Sequence, residues 1–175
     1  MHFIRFIFIL LMIVPVLPIT AEENAQCQSK VFDRFVSIEK TGQKRPNREP
    51  NEELKERMAE FEITCPWQVE IDLNNDRKRD WIGLVTKQGQ TTLLAYISSL
   101  RGYKSYIVKE YRGFPRETHF DYMPTKEVAL MSNKKLSKTK VPRFALIENR
   151  IGKPSIIYIW NGEAMALFDE FKGNY

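Results

Sequence analysis

The spacing of apolar and polar residues changes character several times along the chain. Residues 6–17 form an almost unbroken apolar run behind a short basic start that ends in Arg5. Over residues 26–39, Val31, Phe32, Phe35, Val36 and Ile38 fit neither a helical nor a strand period, so this stretch reads equally as either. Residues 40–50 are polar with two prolines and predict a linker. Asn51 then reads as a helix N-cap, and Glu52 and Glu53 suit the positive end of a helix dipole. Leu54, Met58 and Phe61 recur at helical spacing, which predicts a short amphipathic helix over 52–61. From Pro66 onward the period falls to two. Residues 67–71 and 81–85 predict a hairpin around a polar loop, and 91–98 pairs with 103–109 through a turn at Leu100, Arg101 and Gly102. Residues 128–131 and 143–148 are expected to pair across a lysine-rich loop. The last hairpin joins 156–160 to 164–168 through Asn161 and Gly162, both of which tolerate positive φ. Such short connections predict antiparallel pairing. The expected fold class is therefore α+β, an antiparallel β-meander of six to eight strands with a short N-terminal helical cover. The loop between the first two strands has no duplicate elsewhere, which argues against a propeller or solenoid.

The start of the pattern suggests a compartment. A basic start, an apolar run and the small pair Thr20-Ala21 before Glu22 have the layout of a secretory signal peptide. The apolar run falls short of the ~20 residues of a membrane-spanning helix, and Pro15 and Pro18 interrupt its end. The expected organisation is a signal peptide over 1–21, a disulfide-tethered helical segment and linker over 22–65, and a β domain over 66–175. The mature chain is expected in the periplasm or secreted medium, not as an integral membrane protein. Residues 24–26 lack the small-residue signal of a lipid-attached cysteine before Cys27. Cys27 and Cys65 are an even count for an exported chain and predict a disulfide. It would stabilise by about 3–4 kcal/mol in the chain-entropy picture. The formal net charge of +5 favours an anionic envelope surface or an acidic protein as partner. No nucleic-acid-binding motif accompanies that charge.

The densest chemistry lies in residues 72–80. Asp72, Asn74, Asp76 and Asp80 occupy positions 1, 3, 5 and 9 of a hard-cation loop, with the backbone carbonyl of Lys78 available at position 7. Calcium takes about six to eight oxygens, and alternating Asp and Asn on a turning loop supply most of them. The stretch from Val69 to Asp76, followed by Asp80, Trp81, Ile82, Gly83, Leu84 and Val85, resembles the FG-GAP/VCBS-type repeat of exported bacterial proteins. The ending from Lys153 to Gly162 is similar to the closing hairpin of its single-copy members. The likeness spans 66–170 loosely and is specific only in the nine-residue loop. It implies calcium at the loop and a role in adhesion or ligand contact. The chain departs from the pattern at position 6, where Arg77 replaces the usual glycine, and at position 12, which is Gly83 rather than an acid. Arg77, Lys78 and Arg79 also oppose a cation electrostatically. The competing reading is a hairpin loop whose Asp and Asn side chains cap their own backbone.

Other chemistry is sparse. Beyond the first residues, His119 is the single histidine, two positions from Asp121 and on the same side of a strand. Lys134, Lys135, Lys138 and Lys140 form a basic stretch suited either to docking a partner or to remaining solvated. Tyr103, Tyr106, Tyr111, Phe114 and Tyr122 read as half-buried sheet aromatics or a stacking group. No P-loop, nucleophile elbow or metalloprotease motif is present. The sequence therefore favours a non-enzymatic exported binding protein with a weak calcium-stabilised loop. One rival is an envelope inhibitor or immunity-type protein that binds a hydrolase. The other is a glycan- or cell-wall-acting enzyme using His119.

Overall fold

The computed structural model describes residues 27–36, 41–131 and 142–171. The segment assigned to a signal peptide and the four lysines Lys134, Lys135, Lys138 and Lys140 lie outside the described residues. Eight antiparallel strands form two four-stranded sheets. The first holds β1 (Gln68–Ile71), β2 (Asp80–Lys87), β3 (Gln90–Ser99) and β4 (Gly102–Tyr111) in sequence order. The second holds β5 (Thr118–Pro124), β6 (Phe144–Arg150), β7 (Ser155–Trp160) and β8 (Met165–Phe171), again in sequence order. Among the described residues two helices accompany them, α1 (Glu52–Glu60) and α2 (Thr125–Met131), together with one wide helical turn, Phe32–Val36. The chain is mostly β with a small helical part, an α+β arrangement of meandering strands.

Strand alternation builds the core between the sheets. Ile82 and Leu84 of β2, Leu93 and Ala95 of β3, Phe120 of β5, Leu146 of β6 and Tyr158 of β7 all point into one buried cluster. The sheets meet at both edges. The Phe120 amide donates to the Pro66 carbonyl at 2.7 Å beside β1, and Tyr106 of β4 packs edge-to-face on Trp160 near β8 at 4.9 Å. A register shift at Leu93 and Leu94 makes a β-bulge in β4. Because side chains alternate with period two, the extra residue turns Lys109 and Tyr111 inward, where an unbroken strand would aim them outward.

The outer faces are covered unequally. Phe32 of the helical turn and Val31 just before it pack on Trp81, Val85, Leu94 and Tyr96 of the first sheet. The disulfide Cys27–Cys65, Cα atoms 5.4 Å apart, anchors this turn. Gln68 Nε2 and an Arg45 guanidinium N–H both donate to the Cys27 carbonyl, and Ser29 Oγ donates to Glu70. The tether therefore holds the N-terminal segment on the outer face of the first sheet. On the second sheet, α2 lays Val128 against Ala145 and Ile157. Helix α1 begins where expected, with Asn51 Oδ1 accepting the Leu54 amide at 3.0 Å and Leu54 fully buried.

One element differs in kind from its expectation. Residues 128–131 are helical as part of α2, so 143–148 does not pair with them; β6 pairs instead with β5. Four apolar residues in a row are too few to separate a strand from a helix, and burial on the second sheet selects the helix. The closing hairpin forms, but its connection is four residues long. Asn161 Oδ1 accepts the amides of Glu163 and Ala164, and Trp160 pairs with Met165.

Candidate functional site

The Asp/Asn loop joins β1 to β2 and is braced from within. Asp72 Oδ1 accepts the Asp76 amide at 3.1 Å and its Oδ2 accepts the Arg77 amide at 2.9 Å. Asn74 Oδ1 also accepts from the Asp76 amide, and Asp76 Oδ1 accepts from the Lys78 amide. Asn75 and Arg77 sit at φ 63° and 67°, so the loop achieves at Arg77 the left-handed turn that glycine would give without strain.

Asp80 stands apart from its three partners in the motif. It is fully buried; Oδ2 accepts the Leu73 amide at 2.7 Å, while Oδ1 accepts both the Ser98 amide at 2.7 Å and the Ser98 hydroxyl at 2.8 Å. Burial pushes its carboxyl above the usual range, the Ser98 and Leu73 donors offset part of that, and the nearby Asp76 charge adds to it. With two donors on Oδ1 and one on Oδ2, Asp80 ties the loop to β3. Asp72, Asn74 and Asp76 remain nearer the surface, where each accepting oxygen keeps lone-pair capacity. Among the described residues no group of three or more His, Cys, Asp or Glu is arranged to hold a metal ion.

Ser98 couples this loop to the β3–β4 turn, a link with no motif to announce it. Its hydroxyl lies 2.8 Å from both Asp76 Oδ2 and Asp80 Oδ1 and shares its one proton between them, its carbonyl accepts from Asn74 Nδ2 at 2.7 Å, and the Tyr103 hydroxyl donates to the Arg79 carbonyl at 2.9 Å. Loop and turn therefore form one braced end of the molecule. Arg77, Lys78, Arg79 and Arg101 are exposed there. Leu100 at the turn is wholly in solvent, at 103% relative exposure. The Arg143 amide, which leads into β6, donates to Asn75 Oδ1 and brings the second sheet to the same end.

Gly83, at position 12 of the loop count, has a packing reason instead of an ionic one. A Cβ there would lie 2.6 Å from the Trp81 ring and 2.9 Å from the Trp67 carbonyl, which accepts the Leu84 amide. The residue belongs to β2 and no acidic side chain fits.

A second polar group lies inside the fold. Glu148 is fully buried and accepts from Lys109 Nζ at 2.7 and 3.0 Å and from the Tyr158 hydroxyl at 2.7 Å. Lys109 also lies 4.7 Å from the centre of the Tyr111 ring. Burial, reinforced by the Glu148 charge, drives the phenols of Tyr111 and Tyr158 strongly upward, so both stay protonated. A period-two reading of β4 hides this cluster, because the bulge reverses the facing of Lys109.

His119 lies on the opposite face of β5 from the core. Its neighbours across a cleft of about 560 Å³ include Asp121, Asn149, Ser155 and the Arg57 end of α1. Burial lowers its pKa, Asp121 counteracts and Arg57 adds to the lowering. The five aromatics noted in the sequence do not gather into one stack. Phe114 packs on Trp67, Tyr106 on Trp160 and Tyr122 on Phe144.

No family model, curated protein or solved structure matches the chain. The FG-GAP/VCBS likeness thus rests on sequence alone, on the residues of the β1–β2 hairpin and the ending from Lys153 to Gly162. Among the described residues no helix is long and apolar enough to cross a membrane.

Proposed function

We propose that the chain is an exported, non-enzymatic binding protein that offers its braced loop end to an acidic protein partner. The observation that carries this reading is Leu100, fully exposed on a turn held by the Asp76–Ser98–Asp80 contacts and flanked by Arg77, Lys78, Arg79 and Arg101. An apolar tip inside a cationic collar fits an acidic surface with a small hydrophobic socket. Bracing the turn beforehand lowers the ordering cost of association. A photo-reactive phenylalanine analogue at position 100 should cross-link one acidic partner. The same analogue in place of the exposed Glu110, at the far end of β4, should not. Equal capture from both positions, or none from position 100, rejects the reading.

The same proposal gives the loop a weak calcium site. Asp72, Asn74 and Asp76 would hold the ion with the Lys78 carbonyl, while Asp80 anchors the loop from beneath. Calcium would supply positive charge beside Asp72 and Asp76, opposed by the three adjacent cations. Support comes from the remaining acceptor capacity of the three outer residues. Thermal unfolding in excess calcium should rise relative to chelator, by about 2.7 kcal/mol at a hundredfold excess over Kd. The rise should vanish in Asp72→Ala, which spares the Asp80 anchor. An unchanged melting temperature at millimolar calcium removes the ion and leaves the Asx-turn reading of the loop.

A further inference from the structure

The cleft beside His119 has the ingredients of a small-molecule site. Its walls come from α1 and the residues after it, from the outer face of β5 and β6, and from the β6–β7 turn. A volume of about 560 Å³ falls within the usual size of ligand clefts. Phe61, at 55% relative exposure, Met123 and Ile147 give it an apolar side. Arg57, Arg150 and Lys153 line it against the single acid Asp121, so the rim carries excess positive charge.

His119 supplies the second, independent observation. The residue is only 8% exposed, and its Nδ1 is cut off from solvent with no hydrogen-bond partner among the described residues. Buried polar atoms are nearly always partnered, and a bare lone pair is a lesser loss than a bare N–H, so the neutral ring keeps its proton on Nε2 and leaves Nδ1 as the unpaired acceptor. Asn149 and Ser155 give Nδ1 no partner; the Ser155 hydroxyl donates to Asn149 Oδ1. Arg150 is also committed, through Nε and a terminal N–H, to the Pro154 carbonyl. Arg57 and Lys153 are left as the cations that can turn towards a guest.

We propose that this cleft binds a small organic carboxylate, with its apolar body along Phe61, Met123 and Ile147 and its carboxylate met by His119, Arg57 and Lys153. The mixed lining decides the class: a bare anion leaves the apolar wall wet, and a neutral hydrocarbon leaves the cations and the imidazole unanswered. The imidazole acts as a donor through Nε2, and protonation strengthens that contact. Asp121 on the same strand and Arg57 facing it from α1 set the balance, with Lys153 and Arg150 contributing from the β6–β7 turn.

Imidazole NMR of the full chain in a His2→Gln background isolates the His119 signals. Hexanoate should shift them saturably and raise the titration midpoint of His119 by up to about one unit, since a nearby carboxylate favours the charged ring. Neither 1-hexanol nor inorganic phosphate should do so at the same concentration. The R57Q/K153Q variant, altered at the cleft rim, should keep the His119 signals and bind hexanoate roughly tenfold more weakly. A non-saturating response to hexanoate, an equal response to hexanol or to phosphate, or undiminished affinity in R57Q/K153Q overturns the proposal. These readouts are independent of the Leu100 surface and of calcium.

Discussion

At the scale of single residues, the buried titratable groups Asp80 and His119 pull stability in opposite directions with pH. The folded-state pKa of His119 lies below its ordinary value of 6.5 because burial disfavours the imidazolium. The unfolded chain therefore binds the proton more readily. Stability from this residue is complete above 6.5 and is lost as pH falls through the folded value. Asp80 has a raised folded-state pKa, so its contribution is complete below its ordinary 3.8 and is lost as pH rises through the folded value. Cooling of the melting temperature between about pH 7 and 5 should thus be shallower in His119→Gln than in the wild type. An identical acid slope in the two proteins would mean that His119 titrates alike folded and unfolded. His119 and Asp121 were recognisable in the sequence as neighbours on one strand face. Their enclosure was not, because Arg57, Asn149 and Lys153 reach the cleft from distant parts of the chain.

At the scale of elements, short-range chemistry explains most of what forms. Asn51 caps α1, the Asp/Asn run closes the β1–β2 hairpin, and Asn161 organises the last turn. The first two rely on a side chain satisfying backbone groups only a few residues away, which is why they were legible. The last hairpin is predicted by the positive φ that Asn161 and Gly162 tolerate, but only Gly162 takes it and the Asn161 side chain holds the turn. Gly83 is the opposite case. Its position in the loop count invites comparison with an ion ligand, yet the limit on its size comes from Trp81 and the Trp67 carbonyl. Gly83→Ala should cost about 1–3 kcal/mol in urea unfolding by overpacking, with no change in any calcium response. A neutral result would show that the Trp81 ring can move aside at no cost. α2 shows the limit of local pattern, since residues 128–131 are expected as a strand and instead form a helix that buries Val128 on the second sheet.

At the scale of the whole molecule, the β4 bulge, the sheet-to-sheet packing and the Glu148 cluster depend on one another. Lys109 reaches Glu148 across the interior only because the bulge turns it inward and β6 stands opposite. Removing one partner of a buried pair leaves an uncompensated charge. Lys109→Met should therefore destabilise by about 3–5 kcal/mol, and K109M/E148Q should recover much of the loss. Equal stability of the single and double variants, measured by urea unfolding, would show that solvent reaches Glu148 once Lys109 is gone. The cluster also lies at a mouth lined by Arg116, Arg150 and Lys153, the last two shared with the His119 cleft. The β6–β7 turn thus stands between two openings.

The sequence alone determined the elements whose causes are local: the capped helix α1, the strands with period two, the loop that closes on its own Asp and Asn side chains, and the pairing of the two cysteines. Periodicity states which face of a strand is apolar and not which partner covers it. Division of eight strands into two sheets, the bulge that redirects Lys109, the anchoring of Asp80 by Ser98 and the cleft around His119 were decided by tertiary structure alone. Each depends on residues far apart in the chain meeting in a packed interior, where burial and unpaired polar groups set the energies.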